Sequence, residues 1–212
     1  MTNHEHGAWR REVIPAATES TLLALCDAKV LDRFYLAGGT GLALQFGHRL
    51  SLDLDFFAPE HFDEDALLQR AQKLEGFALV SKAPYTLHTT IQATKVSFLG
   101  YTYPMLYAVN EFLGVRIADP RDIACMKVSA IASRGTKRDF VDLHFCARQY
   151  GLDEILQMFG RKYSQANFSR IHILKSLTYF GDAEKDPMPH MLVPVEWEEI
   201  KESFLSRVPR LL

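Results

Sequence analysis

Two carboxylates sit two positions apart in an otherwise apolar run, Ser51-Leu52-Asp53-Leu54-Asp55-Phe56-Phe57. The alternation predicts a strand, on which side chains two apart point the same way. Asp53 and Asp55 then share one face, and Leu52, Leu54 and Phe56 the other. Neighbouring carboxylates repel and lose hydration, so they need a compensating cation. A divalent metal supplies it, and Mg²⁺ in particular is held by one or two carboxylates plus substrate phosphates. The plain alternative is an edge strand with its acids in water. Upstream stands Leu36-Ala37-Gly38-Gly39-Thr40. A strand, a di-glycine turn and a helix start make a phosphate site: glycine lets the backbone come close, and the first helical N–H groups point at the anion. No Gly-Lys-Ser/Thr follows, so this is not a P-loop, and a structural tight turn is the alternative. Together the two features place a triphosphate cradle beside a metal-binding strand. His48-Arg49-Leu50-Ser51 lies between them. Arg49 either contacts a phosphate or pairs with Asp53 or Asp55, and Ser51 adds a polar group for the nucleotide.

A second group of charges lies downstream. On the helix that begins at Pro120, Lys127, Ile131 and Arg134 fall on one face by their spacing. A Lys among Ile123, Ala130 and Ile131 must reach a carboxylate or a phosphate. After a turn at Gly135, Asp139 and Asp142 share a face of the next helix, and short-linked helices pack antiparallel, so Lys127 can meet Asp142. Two roles are open: a buried Lys–Asp brace for the hairpin, or Lys127 on the phosphates of the triphosphate cradle with one of the two Asp as base or Lys partner. Arg138 joins Arg134 as a candidate to neutralise phosphate.

These residues need elements to hold them. Residues 12–31 read as a helix after Pro15, Arg33 to Ala37 as a short buried strand, and Thr40 as the cap of a helix ending near Gly47. Pro59 ends the acidic strand, and Asp63 caps a helix from Glu64 to Glu75. Four runs rich in Val, Ile, Thr and aromatics follow: Phe77–Lys82, Thr86–Gln92, Lys95–Leu99 and Glu111–Ala118. At Asp119-Pro120-Arg121-Asp122 the texture changes, with a capping Asp, Pro at the first helical position and an acid in the first turn. Helices are predicted over about 120–134, 137–149, 152–162, 165–180 and 194–207. The chain thus divides near residue 116 into a mixed α/β half (1–115) and a helical half (116–212).

Composition bounds the function. The 212 residues are 48% hydrophobic, so the chain is neither disordered nor a linker. No apolar run reaches the roughly 18–20 residues of a membrane span, and the polar start, Met1 to Gly7, is not a signal peptide. A cytoplasmic protein is expected, with no membrane partner. The three cysteines, Cys26, Cys125 and Cys146, fit neither a disulfide framework nor a zinc site and read as small core residues. His4 and His6 read as a frayed polar end. The formal net charge of −2 hides a gradient. Residues 1–115 sum to −4, residues 116–180 to +5 and residues 181–212 to −3. A local basic surface facing the acidic strand is compatible with a polyanionic substrate. Arg161 to Lys175 interleaves basic and aromatic residues, as an RNA-contacting surface or an amphipathic helix would. Trp197, Phe204 and Leu205 are expected to pack the last helix onto the body.

Gly39-Thr40, twelve residues and then Asp53-x-Asp55 resemble the signature of polymerase-β-type nucleotidyltransferases. The strings Leu36 to Leu44 and Gly47 to Phe57 are similar to those of the AbiEii/AbiGii-type toxin nucleotidyltransferases. Asp122 to Lys127 and Ser133 to Leu143 resemble a second block of the same family. The resemblance covers roughly residues 35–145. It implies an α+β fold, a minimal nucleotidyltransferase sheet flanked by helices and followed by a helical region. It implies Mg²⁺-dependent transfer of a nucleotide from an NTP, with a tRNA 3′ end or a protein hydroxyl as acceptor. It also implies a toxin–antitoxin or phage-defence setting with a separately encoded antitoxin. One departure stands out: this superfamily often carries a third carboxylate on a neighbouring strand, where this chain offers Ser97, and Glu111 opens another strand with unknown facing. The base is therefore unassigned from sequence, with Asp142 one candidate. A degenerate, non-catalytic RNA- or protein-binding module and a small-molecule nucleotidyltransferase of the antibiotic-modifying kind are the rival functions.

Overall fold

The structure, a computed structural model, describes residues 8–211. His4 and His6 lie outside the described residues. A seven-stranded mixed sheet runs in the order β3-β4-β5-β2-β1-β7-β6, giving the expected α+β class. Its central strands are β1 (Tyr35–Leu36), β2 (Leu54–Ala58) and β5 (Thr94–Gly100). β2 runs antiparallel to β1 and parallel to β5. β3 (Ala78–Ala83) and β4 (Thr86–Ile91) extend one side by antiparallel pairing, and β6 (Asn110–Phe112) and β7 (Val115–Ile117) close the other.

One sheet face is dry. Leu54, Phe56, Leu87, Ile91, Val96 and Phe98 are fully buried there. They pack with Leu22 and Leu25 of α1 (Ala16–Asp27) and Leu67 of α3 (Glu64–Ala71). Burying each such side chain contributes about 1.5–3 kcal/mol. A second cluster joins Tyr35, Ala37 and Leu42 to the helical half: α4 (Pro120–Ser133), α5 (Lys137–Tyr150), α6 (Leu152–Lys162), α7 (Arg170–Ser176) and α8 (Trp197–Arg207). α2 (Gly38–Phe46) packs against both α4 and α5 and so couples the two halves.

Local chemistry explains the element ends. Asp63 accepts from the Asp65 and Ala66 amides, and Asp119 from that of Arg121, both as capping acids. Several predicted elements need correction, and the helices read over 12–31 and 64–75 shorten to α1 and α3. α2 begins two residues before Thr40, at Gly38, because Ala37 occupies the cap position. β2 starts at Leu54 rather than Ser51, because residues before it bond elsewhere: the Ser51 amide donates to Val13, and that of Leu50 to His190. Leu52, three-fifths exposed, therefore does not share the buried face of Leu54 and Phe56. Glu111–Ala118 is two strands, since Leu113 and Gly114 take φ +51° and +80°, the mirror-image turn that closes a two-residue hairpin. The helix predicted over 165–180 shrinks to α7. Lys162 and Tyr163 before it are interior, Lys162 ion-pairing with buried Asp122 at 2.7 Å, so Arg161–Lys175 is no single amphipathic helix. Trp197 and Phe204 pack on Phe140 as expected, whereas Leu205 is half exposed. Cys125 and Cys146 are buried and Cys26 is partly buried, all three as free thiols.

Candidate active site

The β1–α2 connection makes the first wall. Gly38 has φ +62°, where a side chain is strained, and a Cβ there would lie 3.0 Å from Asp55 Oδ2. A Cβ on Gly39 would collide with the Arg49 guanidinium. Both glycines are therefore required by close approach. α2 has no side-chain cap at Ala37 and no acid in its first turn. Among the described residues, the amides of Gly38, Gly39 and Thr40 donate to no protein acceptor. Three N–H groups at a helix N-terminus, backed by its dipole, are thus open beside a carboxylate. The Thr40 side chain is occupied differently: it is buried, its hydroxyl meeting Ser51 Oγ at 2.8 Å and the Asp53 carbonyl. Thr40 and Ser51 thereby fix the chain entering β2, and the Thr40 amide rather than its hydroxyl is left open.

Asp53 and Asp55 form the second wall. Asp55 pairs in register with Ser97 of β5, whose hydroxyl favours the ionised carboxylate. Burial raises the Asp55 pKa; the Ser97 hydroxyl and the charge of Lys127 oppose this, and the charge of Asp53 adds to it. Asp55 is thus a carboxylate short of positive charge. Asp53 is more open, with the Arg138 guanidinium 3.6 Å away. Among the described residues, no group of three or more His, Cys, Asp or Glu side chains is arranged to hold a metal. Two acids beside open amides suit Mg²⁺, which takes its other ligands from phosphates and water.

The third wall comes from the α4–α5 hairpin. Gly135, at φ +53°, turns the chain so that the two helices pack together. Lys127 Nζ then lies 2.9 Å from Asp139 and 2.7 Å from Asp142. Asp142 is fully buried and also accepts a bidentate bond from Arg49, at 2.7 and 2.9 Å, and meets His48 Nε2 at 2.8 Å. Burial works to raise its pKa, but Lys127 and Arg49 outweigh that and hold it well below the usual carboxylate range. Asp139 is lowered too: burial acts upward, and Lys127 and a 2.6 Å bond from Thr136 act downward. Lys127 is raised, its two carboxylates overcoming burial.

The sequence-derived candidates come together, with their roles redistributed. Gly38, Gly39, Asp53, Asp55, Lys127, Arg134 and Arg138 lie close to one another, Arg138 3.6 Å from Asp53 and Arg134 3.7 Å from Asp139 while acting electrostatically on Asp55. Arg49 makes neither of its expected contacts with Asp53 or Asp55; it is buried against Asp142. Asp142 is saturated by three donors, so it suits the partner of Lys127 and Arg49 rather than a base. Glu111, exposed on β6, sits at the opposite side of the sheet from β5. One residue was missed from sequence. His88 of β4 pairs in register with Ser97, and its Nδ1 lies 3.1 Å from Ser97 Oγ. The available signal was the two-residue connection Gln92-Ala93, which fixes that register.

Comparison with known proteins accords with this architecture. A family model for "Nucleotidyl transferase AbiEii toxin, Type IV TA system" matches residues 21–107 and 101–210. An uncharacterized protein of Aquifex aeolicus, aq_aa25, is 40% identical over 189 residues, spanning 86% of this chain and 90% of that protein. Among solved structures, MenT4, the nucleotidyltransferase toxin Rv2826c from Mycobacterium tuberculosis, is similar at 18% identity and TM-score 0.51, over 92% of this chain and 86% of that one. The antibiotic-resistance factor ANT(2'')-Ia is similar at 13% identity and TM-score 0.51, over 69% of this chain and 93% of that one. With open helix-N-terminal amides facing a pair of acids, and a family match running from α1 to the C-terminal helices, the chain belongs to the AbiEii nucleotidyltransferase toxin family.

Proposed function

We propose that the protein transfers a nucleotide from an NTP to an acceptor hydroxyl, with Mg²⁺ held by Asp53 and Asp55. The observation that carries this is the contact between Gly38 and Asp55: open amides for phosphate and a carboxylate for metal are immediate neighbours. Mg²⁺, when bound there, offsets the charge that develops on the phosphates. The amides of Gly38, Gly39 and Thr40 hold the phosphate chain. Arg134 and Arg138, both largely exposed, neutralise the departing pyrophosphate. Lys127 sets the positive potential behind Asp55 while Asp142 and Asp139 hold it in place. Arg49 and Ser51 position the strand entry instead of touching the nucleotide.

A tRNA 3′ end is the acceptor we favour, with a protein hydroxyl as the alternative. The partner we propose is a separately encoded antitoxin, which the family's description as a type IV toxin–antitoxin system supports, and the setting we propose is the cytoplasm, where NTPs and tRNA are available. Among the described residues, no helix is long and apolar enough to cross a membrane. We also propose a functional division near residue 116, with residues 1–115 supplying amides and acids and residues 116–212 supplying the cations, although one hydrophobic cluster joins them. The test is incubation with total tRNA and each α-³²P-NTP, with and without Mg²⁺. Mg²⁺-dependent labelling that Asp53→Ala abolishes is expected; labelling that survives Asp53→Ala refutes the metal assignment. NTP binding absent even at millimolar Mg²⁺ would favour the non-catalytic module, and labelling of small alcohols in place of tRNA the antibiotic-modifying kind.

A further inference from the structure

We propose that His88 is the general base that takes the proton of the acceptor hydroxyl, held in the required tautomer by Ser97. The inference rests on the nucleotidyl-transfer function proposed above and supplies the base it lacks. β2, β5 and β4 are successive neighbours, so Asp55, Ser97 and His88 form one cross-strand row on the same sheet face. Their order fixes the protons. An ionised carboxylate can only accept, and Ser97, in register beside Asp55, favours that ionised form, which places the Ser97 hydroxyl proton on the Asp55 side. The 3.1 Å contact between Ser97 Oγ and His88 Nδ1 must then be an N–H donated by histidine. With Nδ1 protonated, neutral His88 carries its free lone pair on Nε2. That atom has no protein partner among the described residues and is not a buried orphan, so it opens to solvent.

The location suits the task. His88 lies two strand spacings from Asp55, about 10 Å between backbones, with its ring tied back toward Ser97. The row continues only to Ser81 on the edge strand β3, every residue of which is exposed, so an acceptor can enter along the sheet. Imidazole is a poorer ligand than oxygen for Mg²⁺, which favours proton transfer over metal binding. The acidic alternatives are closed, since Asp142 is buried and saturated and Asp139 is bonded to Lys127 and Thr136. The charged groups facing His88 are Asp55 beyond Ser97 and Lys95, two residues from Ser97 on β5; Ser81 on β3 is uncharged.

In the step itself the acceptor oxygen bonds to the α-phosphorus of the NTP. The bond from that phosphorus to the α–β bridging oxygen breaks, and pyrophosphate leaves. The acceptor proton ends on His88 Nε2 and passes from there to water.

The test is a pH–rate series with tRNA, labelled NTP and Mg²⁺ on wild type, His88→Gln, His88→Ala and Ser97→Ala, with thermal unfolding of each. His88→Gln is expected to lower kcat about 10²-fold or more, leave the KM for NTP unchanged and flatten the acid limb of the profile. Free imidazole should restore part of the His88→Ala rate, which a merely structural histidine would not permit. Ser97→Ala, a change in a positioning residue, should give a smaller loss of kcat. If His88→Gln keeps kcat within threefold and the same pH profile while Asp53→Ala is inactive, the base assignment is overturned and nucleotidyl transfer stands. If wild type labels no acceptor, both fail together.

Discussion

Asp142→Asn separates a structural carboxylate from a catalytic one. The substitution keeps the shape and deletes the charge. In the native protein that charge faces Arg49 at 2.7 and 2.9 Å, Lys127 at 2.7 Å and His48 at 2.8 Å, with no exposure to water. Removing it leaves two buried cations, with Asp139 still bonded to Lys127. Breaking a buried ion pair in this way costs about 3–5 kcal/mol. For a domain of this size each kcal/mol lowers Tm by about 2–4 °C, so the fall should be roughly 6–20 °C. Circular-dichroism melts at neutral pH, with urea unfolding for the free energy, measure it. The pH dependence has a definite sign. The folded pKa of Asp142 lies well below the ordinary value of about 3.9, so the unfolded chain binds the proton more readily. Its contribution to stability is therefore complete above about pH 5 and is lost as pH falls through the folded value. The gap between wild type and Asp142→Asn should stay constant from about pH 5 upward and close only in strong acid. A variant that melts within a degree or two of wild type yet has no activity would refute the bracing role and return Asp142 to the chemistry.

Asp55→Asn should raise the Tm of the free protein at neutral pH, because a carboxyl whose pKa burial raises is destabilising when ionised; the same melts repeated with Mg²⁺ and NTP should show that the variant has lost ligand stabilisation, about 2.7 kcal/mol at a hundredfold excess over Kd in wild type. Gly39→Ala drives a methyl into the buried Arg49 guanidinium and should cost about 1–3 kcal/mol in urea unfolding, with Gly38→Ala reducing NTP affinity as well through its positive φ and its approach to Asp55. Arg138→Ala breaks a contact that is exposed and 3.6 Å long, so stability should change by less than about 1 kcal/mol while the KM for NTP rises in steady-state kinetics. Lys162→Met leaves the buried Asp122 carboxylate without its cation, and a loss of about 3–5 kcal/mol in unfolding free energy is expected.

Much of the site could be read from residue order, because its parts are local. Gly38-Gly39 before a helix and Asp53-x-Asp55 on a strand each need only the period of one element to place their groups. The capping of α4 at Asp119 and the turn at Gly135 bring Lys127 to Asp139 and Asp142 by simple hairpin packing. Asp63 and Asp119 act as caps for the same local reason. What the linear order left open was partner choice among buried charges. Arg49 is within six residues of both Asp53 and Asp55, yet its guanidinium ends on Asp142, ninety-three residues away. The reason is desolvation: a cation enclosed by α2, α4 and α5 must be met by a carboxylate already enclosed there, while Asp53 and Asp55 remain in contact with water. The same holds for Lys162, which sequence placed on a basic surface and folding places on Asp122 inside the helical core. His88 carried no sequence signal of its own. It enters the site because a two-residue turn sets the β4–β5 register and the parallel pairing of β5 with β2 sets Ser97 beside Asp55. The sequence by itself determined which short segments carry phosphate-, metal- and charge-bearing groups. Only the tertiary structure decided which of those groups face the site and which neutralise one another in the interior, because burial makes an unpaired charge too costly to leave to local preference.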